Sequence, residues 1–378
     1  MKCPVALASP RFRNVRRGEI EIARISLALG RQKANVSYTS IFVNIMRDAL
    51  GEAKQRLARE IDSYSVSTTG LIAADPWVVS SLLQKSIRRG ETKFAQDAAF
   101  TLMKLNGTAI WRRLMAIAFE DVGVANVDAI TAVAAASSDT AFRKSCGGNS
   151  RLAIHLAGLL AASPQDRSAD YLVGAKDHPT LTDFARTIRD ASIEAILLAV
   201  RDKTLSLPSK TIAALFAVVP HGDAVGGRAG LDRLPGTYRE LGVPEDLLAA
   251  TQIATVRTRE PITLMLPLIW LAAQASRETS VCDCAVPSLV QMGDVPLYAL
   301  DQHTRLGREA IWRFANEHPA VRWCLTHYVP ERCWRGVAYM AAFYVDGAPV
   351  ARRLMWDQSE ALEALGIERD LVYAGMPV

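Results

Sequence analysis

The sequence predicts a mainly α-helical protein, a multi-helix bundle with long irregular loops and few or no strands. Three observations lead there. Apolar residues recur at i, i+3, i+4 along most of the chain, as at Leu114, Ile117 and Ala118. Sustained period-two alternation occurs nowhere. Helix punctuation falls between the periodic runs, as at Asp75-Pro76, Asn106-Gly107-Thr108 and Val122-Gly123. Half of the 378 residues are hydrophobic, so the chain is globular rather than disordered and long enough to bury a large core.

Taken in order, residues 1–75 read as a basic helical segment. Arg11, Arg13, Arg16 and Arg17 precede an apolar period at Ile20, Ile22, Ile25 and Leu29. The first sixty residues hold 12 Lys and Arg against 5 Asp and Glu, although the whole chain carries only +5. A polarised basic end is the footprint of a polyanion partner, and arginines suit bidentate phosphate contacts. A solvated terminus is the plainer reading of the same residues. Ser37 to Ile61 predicts one long amphipathic helix. Asp75 then caps a helix with Pro76 in its first position.

Residues 76–176 form the second segment. Helices over 95–105 and 110–119 flank the Asn106-Gly107-Thr108 turn, and Asn126 caps the next helix. Arg112 and Arg113, candidate DNA contacts, open a helix whose far end carries Glu120 and Asp121. Two readings of these acids stand side by side. They fix the inter-helix turn, by backbone contacts or by pairing with Arg112 and Arg113, or one of them lines a site.

Residues 177–294 continue in helix around a Gly-rich stretch, HGDAVGGRAGLDRLPG, which reads first as a flexible loop. Residues 295–378 differ in composition. Between Val295 and Trp356 lie four of the seven Trp and half of the six His. Six scattered Cys form no C-x-x-C pair, so reduced thiols in a cytoplasm are expected, and no apolar run is long enough for a membrane span. No cofactor or metal motif stands out.

The second segment resembles the C-terminal, non-ATPase part of the RarA/MgsA family of AAA+ proteins. The resemblance rests on Lys85-Ser86-Ile87-Arg88-Arg89-Gly90, on Arg112-Arg113, on Ala118-Phe119-Glu120-Asp121-Val122-Gly123-Val124-Ala125, and on LAIHLAGLLAASP ending at Pro164. It covers roughly residues 78–171. Two departures accompany it: an R-G-S-D turn reads Arg89-Gly90-Glu91-Thr92 here, and no G-x-x-x-x-G-K-[ST] loop occurs. The resemblance implies a helical scaffold, a DNA-metabolism setting and, through the family's assembly role, a homo-oligomer. It does not imply ATP hydrolysis.

The last segment has no counterpart in that family, and enzyme chemistry is expected there. A protein acting on a base must draw it from the stack and hold it against flat side chains. Tyr298, Trp312 and Tyr328 are the candidates. Breaking an N-glycosidic bond develops a cationic sugar, which a carboxylate stabilises. Asp301 is the candidate acid, His303 a proton donor to the departing base, and Arg305 a phosphate contact. A plainer reading makes Asp301 the cap of a helix starting near Gln302 and the aromatics ordinary core. With no Lys after Lys210, a Schiff-base lyase built from this region is disfavoured. The expected function is a DNA-binding protein acting as a DNA glycosylase in repair or anti-phage defence. The alternative is an ATPase-free binding or oligomerisation module at replication forks. A nuclease would need a metal-binding acid cluster that adjacent Glu120 and Asp121 do not by themselves define.

Overall fold

The structure, a computed structural model, describes residues 49–65, 69–218 and 226–376. The basic run Arg11, Arg13, Arg16 and Arg17 lies outside the described residues. The chain is mainly helical with a few short strands. Among the described residues no helix is long and apolar enough to cross a membrane.

Helix α1 (Gly51–Ser63) buries Ala53, Leu57 and Ile61, the face its periodicity predicts. Asp75 caps α2 (Pro76–Arg88) by accepting the N–H groups of Trp77 and Val78 at 2.8 and 3.1 Å. Helices α3 (Thr92–Leu105) and α4 (Ala109–Ile117) follow. The end of α4 widens into a π-turn at Ala118–Val122 and tightens into a 3₁₀ turn at Gly123–Asn126. Asn126 then caps α5 (Val127–Ser138) through the Ala129 N–H at 3.0 Å. Short α6 (Thr140–Ser145), apolar α7 (Asn149–Ala162) and α8 (Ser168–Val173) complete this bundle.

Gly123 explains why the acid pair is followed by glycine. Its φ is +52°, and a Cβ there would stand 2.3 Å from the Asp166 carbonyl oxygen. The chain crosses at this point because the Asp166 N–H donates to the Asp121 carbonyl at 2.9 Å. Gly123→Ala combines backbone strain with that clash and is expected to cost at least about 2 kcal/mol in urea denaturation. Gly51→Ala, where nothing lies within 4 Å, is the control and should be near neutral.

Helices α9 (Thr182–Arg189), α10 (Ile193–Arg201), α11 (Leu207–Val218), α12 (Gly226–Glu240), α13 (Glu245–Thr258) and α14 (Leu266–Gln274) extend the same core. Here the loop expected over the Gly-rich stretch is corrected: its residues 226–236 are the start of α12. Leu234 and Tyr238 lie on one face and are each 1 % exposed, so burial overrides the weak helix propensity of glycine. Gly230 also permits the approach to α11, since a Cβ there would overlap the Ala217 carbonyl.

Strand β1 (Thr279–Asp283) pairs antiparallel with β4 (Arg352–Trp356), and β2 (Gln291–Met292) with β3 (Val295–Pro296). Between them lie α15 (Arg305–Glu317), α16 (Pro319–Tyr328) and α17 (Trp334–Ala342), followed by a second π-turn at Phe343–Gly347. Helix α18 (Ser359–Tyr373) packs on α8. One continuous core reaches from Leu50 to Leu362, while α15–α17 carry a small cluster of their own around Ala315, Leu325 and Ala338. The C-terminal chain is stitched to the first bundle by backbone bonds. Gln165 N–H donates to Arg352 at 2.8 Å, Leu354 N–H to Gln165 at 3.0 Å, and Ala351 N–H to Arg88 at 3.2 Å. That stitching brings residues near 85, 120, 167 and 301 to one place.

Candidate functional site

A π-turn inserts a residue into a helix and redirects the side chains around it, which is why such turns recur at functional sites. Here two of them meet across Arg88. Its Nε donates to Asp121 Oδ1 at 2.7 Å, and its Nη1 donates to the Gly347 carbonyl at 2.6 Å. Arg88 Nη2 lies 3.6 Å from Glu120. Asp121 is fully buried and also accepts from Gln84 Nε2 at 2.8 Å, with Arg167 Nε 3.3 Å away. Glu120 shares the same Gln84 amide at 2.7 Å but keeps part of its surface open. The acid pair is thus held by Arg88 and Arg167. Arg113 acts one step removed, by donating to Gln84 Oε1, and Arg112 is exposed.

This geometry drives neighbouring carboxyls apart. Burial, with the charges of Asp121 and Asp170 adding to it, raises Glu120 to about 7, more than Arg88 and Arg113 can offset. Asp170 goes the other way. Burial opposes its ionisation, but the guanidiniums of Arg167, Arg369 and Arg88 outweigh it and hold Asp170 below the usual range. Arg167 Nη2 donates to Asp170 Oδ2 at 2.6 Å.

Against this network stands Asp301. Its Oδ2 lies 2.7 Å from Lys85 Nζ and accepts from His303 Nδ1 at 2.7 Å, while Oδ1 accepts the His303 N–H at 2.8 Å. The Lys85 and Asp301 side chains are each 5 % exposed, whereas that of His303 is 64 % exposed. Burial favours neutral Asp301, but the His303 hydrogen bond and the Lys85 charge win and hold it well below the usual carboxylate range. Burial lowers Lys85 to about 8 despite Asp301 beside it. With Nδ1–H directed at Asp301, the imidazole presents Nε2 outward. Its ring stands edge-on to Phe343 at 5.7 Å, and Arg88 and Arg167 also rest on that ring at 5.8 Å each.

Of the residues expected from sequence, Asp301 and His303 therefore belong together, with Asp301 buried and His303 exposed above it. Asp301 does not cap the following helix. That cap is Thr304, which accepts the Gly307 N–H at 3.1 Å. Tyr298 is closed to a stacking base: it is 3 % exposed, its hydroxyl donates to Glu91, and Arg89 covers its ring at 4.5 Å. Trp312 is half-buried beneath Arg335 at 4.6 Å. Tyr328 is 70 % exposed and meets half-exposed Trp323 edge-on at 5.6 Å, with His327 stacked on Trp323 at 4.3 Å. Arg305 is exposed and pairs with Glu309 at 3.1 Å.

Lys85, Arg88, Arg167 and Asp170 were absent from the candidate set. Two signals point to them: Lys85 interrupts the apolar face of α2 beside Leu82, and Arg167 and Asp170 stand at the N-cap and in the first turn of the short helix after Pro164. Among the described residues no three His, Cys, Asp or Glu side chains converge as metal ligands. No family model, curated protein or solved structure matches the chain.

Proposed function

We propose that this protein binds DNA and hydrolyses the N-glycosidic bond of a modified or damaged base, leaving an abasic site. One observation carries the reading. One cluster, joined through Arg88, Arg167 and the Phe343 ring, holds a carboxyl raised to about 7, Glu120, beside carboxylates kept ionised, Asp170 and Asp301, and an exposed imidazole, His303. Paired groups whose environments drive their protonation apart are what acid-base chemistry at a glycosidic bond requires.

In this reading protonated Glu120 gives its proton to the departing base as the C1′–N bond breaks. Asp170 faces the developing sugar cation. His303 Nε2 takes a proton from water as its oxygen bonds to C1′, and the imidazole later returns the proton to Glu120 through solvent. Asp301 and Lys85 do not touch substrate; they hold the tautomer and orientation of His303. The exposed aromatics and arginines of α15–α17 would take the strand, because aromatic faces stack bases and arginines meet phosphates. Replacing Trp323 and Tyr328 together by Ala is expected to weaken single-stranded DNA binding by roughly 1–3 kcal/mol per stacked base lost. Fluorescence anisotropy checks this, and an unchanged affinity would move the DNA path elsewhere.

The reading is tested by incubating the protein in EDTA with ordinary DNA, with uracil and alkylated duplexes, and with DNA carrying hydroxymethylated or glucosylated cytosine. Alkaline cleavage then reveals abasic sites. Sites on one substrate class are expected. Bound, intact DNA on all of them would instead favour a motor-free binding module.

A further inference from the structure

Next to the charged cluster, and sharing Arg167 with it, lies a cavity of about 200 Å³. Pockets for drug-sized ligands run to about 300–1,000 Å³, so this one suits a single small ring. Tyr171 and Tyr344 supply flat walls, with Arg167 and Arg353 beside them. Both guanidiniums are already neutralised: Arg167 pairs with Asp170 at 2.6 Å, and Arg353 pairs with Glu363 at 2.5 Å. The cavity is therefore poorly suited to an anion and better suited to a neutral, flat, hydrogen-bonding ligand.

Its polar groups set a pattern. Gln165 is 1 % exposed and lines the cavity, and its amide orientation is fixed because Nε2 donates to Leu160 and Ser163 carbonyls at 3.1 and 3.0 Å. That leaves Gln165 Oε1 without a hydrogen-bond partner in the protein, whereas Arg167 Nε faces Asp121 Oδ1 at 3.3 Å. Buried polar atoms left unpaired are costly, and a native fold retains them where a ligand completes them. A buried, unpaired acceptor in a small flat-walled cavity calls for a neutral ring that brings a hydrogen-bond donor, such as an exocyclic amine.

We infer that this cavity binds an extruded amino-bearing pyrimidine, with its exocyclic amine on Gln165 Oε1 and its ring between Tyr171 and Tyr344. The inference rests on the glycosylase reading for the source of the base, and adds the class of base. A ring carrying a carbonyl where the amine should be would set two acceptors against each other, so uracil should be rejected.

The test is binding of free cytosine and free uracil to the full chain by NMR titration. Saturable cytosine binding is expected, with uracil at least tenfold weaker. Ala285→Trp, at an exposed rim position of the cavity, should abolish cytosine binding without lowering the melting temperature. No saturable cytosine binding, equal binding of both bases, or unchanged binding in the Ala285→Trp variant would each overturn the inference. The two readings fail separately. Abasic-site formation without cytosine binding removes the cavity assignment alone, whereas cytosine binding without abasic sites on any substrate leaves a base-binding site and removes hydrolysis.

Discussion

Replacing Asp301 by Ala is expected to lower stability by about 3–5 kcal/mol at pH 7, because it strands the buried ammonium of Lys85. The pair is 2.7 Å apart and both side chains are almost wholly enclosed. Removing one partner leaves the desolvation cost of the other without its Coulombic return. The pH dependence has a definite sign. Burial already lowers Lys85 from 10.5 to about 8, and Asp301 is the main group pulling it back up. Without Asp301 the folded-state value falls further, so the folded protein binds fewer protons than the unfolded chain until pH approaches 10.5. Stability then rises with pH across that window, and the deficit of the variant should shrink between pH 7 and pH 9. Lys85→Met combined with Asp301→Leu should recover most of the loss, since an apolar pair of similar volume removes both desolvation costs. Urea denaturation of wild type, both single variants and the double variant closes the cycle. Additive losses would show that the ion pair carries no coupling.

Glu120→Gln is expected to slow base release by roughly 10²–10⁴-fold, the usual contribution of a positioned acid. Glutamine keeps the volume and can still accept from Gln84, but it has no proton to give. Wild-type activity should fall as pH rises through about 7, where burial and Asp121 place the Glu120 titration. The variant should lack that limb. Stability also falls with rising pH. A carboxyl raised from 4.5 to about 7 contributes stability that is full below pH 4.5 and lost as pH climbs to about 7. Above pH 7 the ionised Glu120 repels Asp121, and the amide does not. The variant should therefore match or exceed wild-type stability at pH 8 while losing activity. A residue that merely held the turn would lose both together.

The helices were legible because their signals are local. Asp75-Pro76 and Asn126 cap where caps were expected, and the face of α1 follows its own period. The Gly-rich stretch misled because its own residues signal a loop, while the burial that makes Gly226–Glu240 helical comes from packing against the helices on either side of it, α11 and α13. The site was half legible. Asp301 and His303 two residues apart invited attention, and so did Glu120-Asp121, yet nothing local says that they meet. Their union depends on Arg88 reaching Gly347 and on Lys85 reaching Asp301, contacts spanning more than two hundred residues. Tyr298 shows the converse difficulty: an aromatic beside a candidate acid is indistinguishable in sequence from one already occupied by Glu91 and Arg89.

The most direct measurement is a paired count of products: free base by mass spectrometry and abasic sites by aldehyde-reactive labelling, from one reaction in EDTA. Hydrolysis at C1′ predicts one free base per abasic site, both falling together in Glu120→Gln. DNA retained intact with no free base, or strand breaks without base release, would contradict the assignment of this charged cluster to N-glycosidic hydrolysis.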